Sequence, residues 1–245
     1  MPIAASDLIN YLAASMPEDD TSTSGGAIAT TGRPDLTQFG ANAVAAAVSD
    51  GADTRTLTVT GRTPAGVIAS DALVLDGTNE VVGVVTFERI LKAVLSGTDG
   101  SRTVTLRQGS GGATRATIGP NETTRRALFY ASASEASQTI RYEKVFWRNN
   151  HGTLTLNAAK VTLTADPASR FEIGLAASKG DTASVANRKT APGGITFVDD
   201  GVEQSVPGGV LAASETIGVW LKQTLPADDA AQKTTVTTRL AGTTV

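Results

Sequence analysis

The chain of 245 residues has no cysteine and a single histidine, and only 4% of it is aromatic. Without cysteine there are no disulfides, no thiolate nucleophile and no Cys-based zinc site. One imidazole cannot build a histidine-rich metal centre, and no Ser–His–Asp grouping can be argued around it. Charge is scarce too: Asp, Glu, Lys and Arg make up 18% of the chain, and the net charge is −3. Soluble domains usually carry about a quarter charged residues. A weakly acidic chain has no basic field to attract a phosphate backbone, so no nucleic-acid partner is expected. No run approaches the roughly 18 apolar residues of a membrane-spanning helix, so no membrane partner is expected either. The start, Met1-Pro2-Ile3-Ala4-Ala5, has neither the positive region nor the apolar stretch of a secretion signal. Synthesis in the cytosol without export is the expectation.

What is present is Thr, Ala, Val and 25 glycines, arranged as short alternating runs between turn signals. Arg55-Thr56-Leu57-Thr58-Val59-Thr60 alternates polar and apolar, as a half-buried strand must. Arg62 to Gly66 turns, Ile68 to Leu75 is a second strand, and Asp76-Gly77-Thr78-Asn79 turns again. Phe87, Ile90, Leu91, Val94 and Leu95 fit helical spacing, but the flanking strand–turn units favour a strand. Arg102 to Arg107 and Ala113 to Ile118 follow, and Gly119-Pro120 marks a boundary. In the second half Thr124 to Tyr130, Gln138 to Trp147, Leu154 to Leu156 and Lys160 to Thr164 read as strands. Arg170 to Ala176, Gly194 to Val198, Thr216 to Leu225 and Thr234 to Leu240 complete the set at sandwich-like spacing. Asn149-Asn150-His151-Gly152 carries the residues of a tight hairpin turn.

The expected architecture is all-β: two Ig-like or jelly-roll-like antiparallel β-sandwich modules, over residues 41–120 and 121–245, preceded by an extended N-terminal arm and linker over 1–40. Leu8 to Met16 fits either a short helix or a strand. Met16 to Gly26 is polar, with few apolar residues to pack, and reads as a linker or as an arm ordered by a partner. The expected partner contacts are Pro17, Glu18, Asp19, Asp20, Thr21, Ser22 and Ile28. Removal of residues 1–28 is then expected to leave a folded chain.

Candidate chemistry is thin. Three acidic doublets, Asp19-Asp20, Asp199-Asp200 and Asp228-Asp229, lie in expected loops. Neighbouring strand residues point to opposite faces, so a doublet is not by itself a catalytic pair. Glu18-Asp19-Asp20 lacks the spaced ligands of a calcium loop. Gly109-Ser110-Gly111-Gly112 lacks the Lys-Ser/Thr ending of a phosphate loop and reads as a turn. Arg125-Arg126 reads as a solvated strand end, and His151 as a turn residue. Trp147 and Trp220 lie in apolar strands, with Tyr142 and Phe146, and read as core anchors. No catalytic residue, cofactor or metal is expected.

Met16-Pro17-Glu18-Asp19-Asp20-Thr21-Ser22-Thr23-Ser24-Gly25-Gly26-Ala27-Ile28 resembles the N-terminal segment of a group of tailed-bacteriophage virion structural proteins. Thr86-Phe87-Glu88-Arg89-Ile90, Arg141 to Trp147 and Ile217-Gly218-Val219-Trp220 are similar to later segments of that group. The resemblance implies a non-enzymatic, homo-oligomeric component of the virion on the capsid, neck or collar, or tail. Its partners would be capsid, portal or neck, or tail subunits. The alternative is a carbohydrate-binding or adhesin module of a phage fibre, which needs exposed aromatic side chains.

Overall fold

The computed structural model describes residues 2–129, 136–229 and 233–244. In chain order the strands are β1 (Leu8–Ser15), β2 (Ser24–Ala29), β3 (Gly32–Arg33), β4 (Ala43–Ser49), β5 (Thr56–Arg62), β6 (Ile68–Val74), β7 (Val81–Phe87), β8 (Arg89–Leu95), β9 (Val104–Gln108) and β10 (Thr114–Ile118). They continue as β11 (Thr124–Arg126), β12 (Thr139–Asn149), β13 (Leu156–Ala165), β14 (Phe171–Lys179), β15 (Ser184–Val185), β16 (Glu203–Ser205), β17 (Val210–Leu211), β18 (Thr216–Leu225) and β19 (Thr237–Thr243). The chain is all-β and β-sandwich-like, as its alternation and β-branched content require.

It forms two compact units, one of Thr30–Tyr130 and one of Met1–Ala29 with Ala131–Val245. These differ from a division at residues 40 and 120. The first two strands belong with the C-terminal half because ladder hydrogen bonds put them there. The six-stranded sheet runs β14-β18-β12-β1-β2-β15, so β1 has a neighbour on each side. Leu8 to Leu12 pair with Asn149 to Val145, and Leu12 and Ala13 pair with Ala29 and Ile28. Residues 8–15 and 24–29 are therefore integral strands, where the sequence suggested an arm.

Within Thr30–Tyr130, a four-stranded sheet (β10-β9-β4-β7) and a five-stranded sheet (β3-β11-β8-β5-β6) share one apolar core. Ala45, Phe87 and Leu106 come from the first sheet and Leu57, Leu73 and Leu95 from the second, all essentially buried. The ambiguous stretch at 87–95 is strand, as expected, and its helical spacing has a cause. The chain changes sheet at Glu88, and a bulge then sets Gly61 against Ile90 but Thr60 against Lys92. One extra residue switches the alternation, so Ile90 and Ala93 both face the core. β11 ends at Arg126, shorter than the expected strand from Thr124, and Tyr130 lies outside the described residues.

The edges of these two sheets meet at β6 and β7. β7 bulges, because Val44 faces Thr86 while Ala46 faces Val82. The freed N–H groups of Val84 and Val85 donate to Asp71 Oδ2 of β6 at 2.7 and 2.9 Å. The carboxylate comes this close because Gly83 has no side chain; a Cβ there would collide with it. A buried carboxylate thus closes a rim where backbone groups would otherwise invite another strand.

In the other unit the six-stranded sheet is accompanied by a four-stranded one, in which β16 and β17 pair along one side of β13 and β19 along the other. Asn149 to Gly152 makes no hairpin here: β12 and β13 lie in different sheets, and the loop carries the chain from one to the other. The Asn149 amide holds the crossing by donating to Leu154 O and Leu211 O at 2.9 and 3.0 Å. Leu154 to Leu156 and Lys160 to Thr164 fall largely into the single strand β13, interrupted at Ala158 by a φ of 47°. Gly194 to Val198 is loop, touching the sheet through one bridge from Val198 to Ile173. It is held instead by packing Ile195 and Phe197 onto Tyr142 and Trp220.

Removing residues 1–28 takes out β1 and nearly all of β2 from the middle of a sheet. The truncated chain is expected to lose the cooperative unfolding of this unit, as measured by calorimetry against the full chain.

Candidate functional site

The segment expected to reach a partner makes its polar contacts within its own unit. Pro17 and the exposed Glu18 lead into a turn closed by Asp19. Asp19 Oδ1 accepts the Thr21 and Ser22 N–H groups at 2.7 and 2.6 Å and the Thr21 hydroxyl at 2.8 Å. Its Oδ2 accepts the Ser22 hydroxyl at 2.9 Å. These hydrogen bonds, the Thr21 hydroxyl first, hold the Asp19 carboxyl well below the usual carboxylate range. Thr21 and Ser22 are thus spent on the turn, and Ile28 packs against the cluster of Tyr11, Ala13 and Phe146.

Asp20 turns the other way, onto β12. Arg141 Nε donates to both its oxygens at 2.9 and 3.0 Å, and Arg141 Nη2 to Oδ2 at 2.7 Å. Lys189 Nζ stands 3.4 Å away and Arg188 Nη1 3.9 Å away. Arg188 Nη2 also meets Glu143 Oε1 at 2.8 Å, with both side chains buried. The local reason is a vacated ladder. β1 leaves β12 after the Leu12–Val145 pair, and Arg188 takes the open position, its carbonyl accepting the Tyr142 N–H at 2.7 Å. The Arg141 hydrogen bond lowers the Asp20 pKa from its ordinary value, against the opposing effect of burial.

Beneath this turn lies a buried cation. Tyr142, Lys144 and Phe146 alternate along β12 and so share one face. The Lys144 side chain is 0% exposed, and its Nζ donates to Asp181 Oδ2 at 2.5 Å. It also reaches the carbonyls of Ala183 at 3.0 Å, Gly26 at 3.1 Å and Asp181 at 3.3 Å. The rings of Phe146 and Trp220 stand with centroids 4.8 and 5.4 Å from Nζ. Burial pushes the Lys144 ammonium below its usual pKa, and Asp181 opposes that shift. Four oxygens surround the three N–H donors of the ammonium, so the group is held on every side by the fold. It is a tie between β12, β2 and the segment before β15. Gly25 makes the tie possible: its φ is 106°, and a Cβ would lie 2.8 Å from the Trp220 ring.

A cavity of about 120 Å³ adjoins the cage, lined by residues including Asp181, Ser184, Val185, Ile195 and Trp220. Drug-sized ligands occupy roughly 300 Å³ or more, so it suits only a few waters or a small group.

The remaining candidates stay apart. His151 Nδ1 accepts the N–H groups of Thr153 and Leu154 at 3.2 and 3.0 Å, a turn role as expected. Asp199 and Asp200 are exposed, and Asp229 pairs with Arg170. Arg125 is not a solvated strand end: it is 1% exposed, with Nε 2.8 Å from Asp35 and Nη2 2.5 Å from Glu122. Arg126 beside it is also buried. The strand pairing of β11 with β3 and β8 encloses both, which neighbouring residues in sequence cannot foretell. Trp220, Phe146 and Tyr142 are buried, while Trp147 is partly exposed. Among the described residues no group of three or more His, Asp or Glu could hold a metal ion. No helix among them is long and apolar enough to cross a membrane. No family model matches the chain, and no curated protein is significantly similar to it.

Sequence reasoning missed Lys144, Glu143, Asp181 and Arg188. One signal was available: Glu143 and Lys144 sit between the large apolar residues Tyr142 and Val145-Phe146-Trp147, where charges persist only if paired.

Replacing Lys144 by Met strands Asp181 and three carbonyls, and is expected to cost about 3–5 kcal/mol in urea unfolding. Because its folded pKa is depressed, Asp20 adds stability that is full above its unfolded value, near 3.8, and is lost as pH falls through the folded value. Asp20→Asn is therefore expected to flatten the fall in Tm below about pH 4.

Proposed function

We propose that this chain is a non-enzymatic structural protein of a tailed-phage virion, assembled in the host cytoplasm as a homo-oligomer. Its two units are read as Ig-like or jelly-roll-like modules that pack against capsid, neck or collar, or tail subunits. One observation carries the reading. Three of the four segments that resemble phage virion proteins converge on Lys144. It lies in Arg141–Trp147, donates to Gly26 of the N-terminal segment, and pairs across the ladder with Trp220 of Ile217–Trp220. The residues behind the resemblance thus meet in one buried tie, which suits a subunit whose work is to hold a shape.

The N-terminal segment keeps a part in this reading, in a narrower form. Asp20, Thr21, Ser22 and Ile28 serve the fold first, and the exposed Thr23 is the position of this segment from which it would meet a partner. The adhesin alternative is less favoured, since three of its four candidate aromatics are buried.

Particles produced from the genome that encodes this chain are expected to contain it in multiple copies, by quantitative mass spectrometry and immunogold labelling. Finding the chain only in the soluble host fraction overturns the proposal, and strong binding on a glycan array would favour the adhesin.

A further inference from the structure

We infer that the rim formed by β6 and β7 is a contact surface between two copies of this chain. Strand alternation points Ile68, Ser70, Ala72 and Val74 of β6 outward, and Val82, Val84 and Thr86 of β7. None of these positions carries a charge. Val84 is 86% exposed, Val67 61%, Val74 60%, Ile68 49% and Val82 44%, and these are all but one of the exposed large apolar side chains among the described residues. Scattered exposed apolar residues need no explanation, but a group on two adjacent strands does.

The rim is guarded in one respect and open in another. Asp71 satisfies the Val84 and Val85 N–H groups, so at its bulge β7 offers these two donors to no added strand. The valines above it are left in water. At this bulge an occupant therefore engages the valine side chains and not these backbone N–H groups.

Charge selects the occupant. The outward positions of β6 and β7 carry no charge, with Arg62 across the ladder from Ile68 at one end, so the centre of the patch can face its own copy without like-charge repulsion, as a two-fold contact demands. A charged partner would have to bury its charge against valine without a counter-ion. The five exposed side chains offer roughly 500 Å², more than half of the roughly 800 Å² that each partner gives to a standard interface. Polar neighbours such as Thr56, Thr58 and Ser70 can supply the rim of the contact.

The inference rests on the self-assembly part of the proposal above, and its test is independent of particles. Sedimentation velocity of the full chain is expected to show reversible association into the high micromolar range. Val84→Glu and Val74→Glu are each expected to weaken it at least about tenfold, since each would bury an unpaired carboxylate. The circular dichroism and Tm of both variants should stay close to those of the parent, because both sites are exposed. Val84→Ser, which adds no charge, is expected to weaken association less, and it decides the case if a Glu variant fails to fold. A parent chain that stays monomeric overturns the inference. So does association that survives both Glu variants, although assembly through another surface would leave the virion proposal standing.

Discussion

The buried ammonium of Lys144 is the interaction on which the larger unit turns. An unpaired charge in a protein interior costs several kcal/mol, so this side chain forces its surroundings to supply oxygens. They come from Gly26 and from Asp181 and Ala183, two segments far apart in sequence. Two strands and a loop are thereby committed to one arrangement. The aromatic faces of Phe146 and Trp220 add a weak attraction and keep water away. Gly25 and Gly218 are the clearance for this packing, each standing where a Cβ would press on Trp220 or Lys144.

Polar side chains also stand at three other breaks in the ladders. Arg188 fills the place that β1 vacates, and the charges around it are paired by Asp20 and Glu143. Asp71 closes the bulge of β7 in the other unit, and Asn149 holds the chain where it crosses between sheets. Some of the few charged side chains thus stand at breaks in the sheets, where backbone groups need partners that a regular ladder would otherwise provide, while others, such as Glu172 and Lys222, pair across a regular ladder. That placement explains how a low-charge, all-β chain avoids open strand edges at these points without long covering helices.

Much of the strand pattern was legible because alternation is a local property. β5, β6 and β18 lie nearly where period-2 patterning puts them. Three readings failed for identifiable reasons. Met16 to Gly26 looked too polar to order itself, yet it contributes the turn of Asp19 and the start of a strand that pairs with β1 on one side and with β15, over a hundred residues away, on the other. Asn149 to Gly152 has hairpin composition, but those residues suit any tight turn, including one that changes sheet. Gly194 to Val198 has strand composition, and Ile195 and Phe197 spend it on side-chain packing instead of a ladder. Of the candidate site, Asp19, Asp20 and Ile28 were expected to touch a partner, and in the fold they hold the turn, Arg141 and the Tyr11–Phe146 cluster. The contacts themselves are internal.

By itself the sequence determined the fold class, the absence of thiol chemistry and the positions of most strands. All of these follow from composition and nearest-neighbour pattern. Tertiary structure alone decided which strands share a sheet, that the N-terminal segment joins the C-terminal half, and that Lys144 and Arg125 are buried rather than solvated. The physical reason is that strand pairing and charge burial depend on residues brought together from distant parts of the chain. A charged side chain in a strand reads the same locally whether water or a carboxylate waits opposite it.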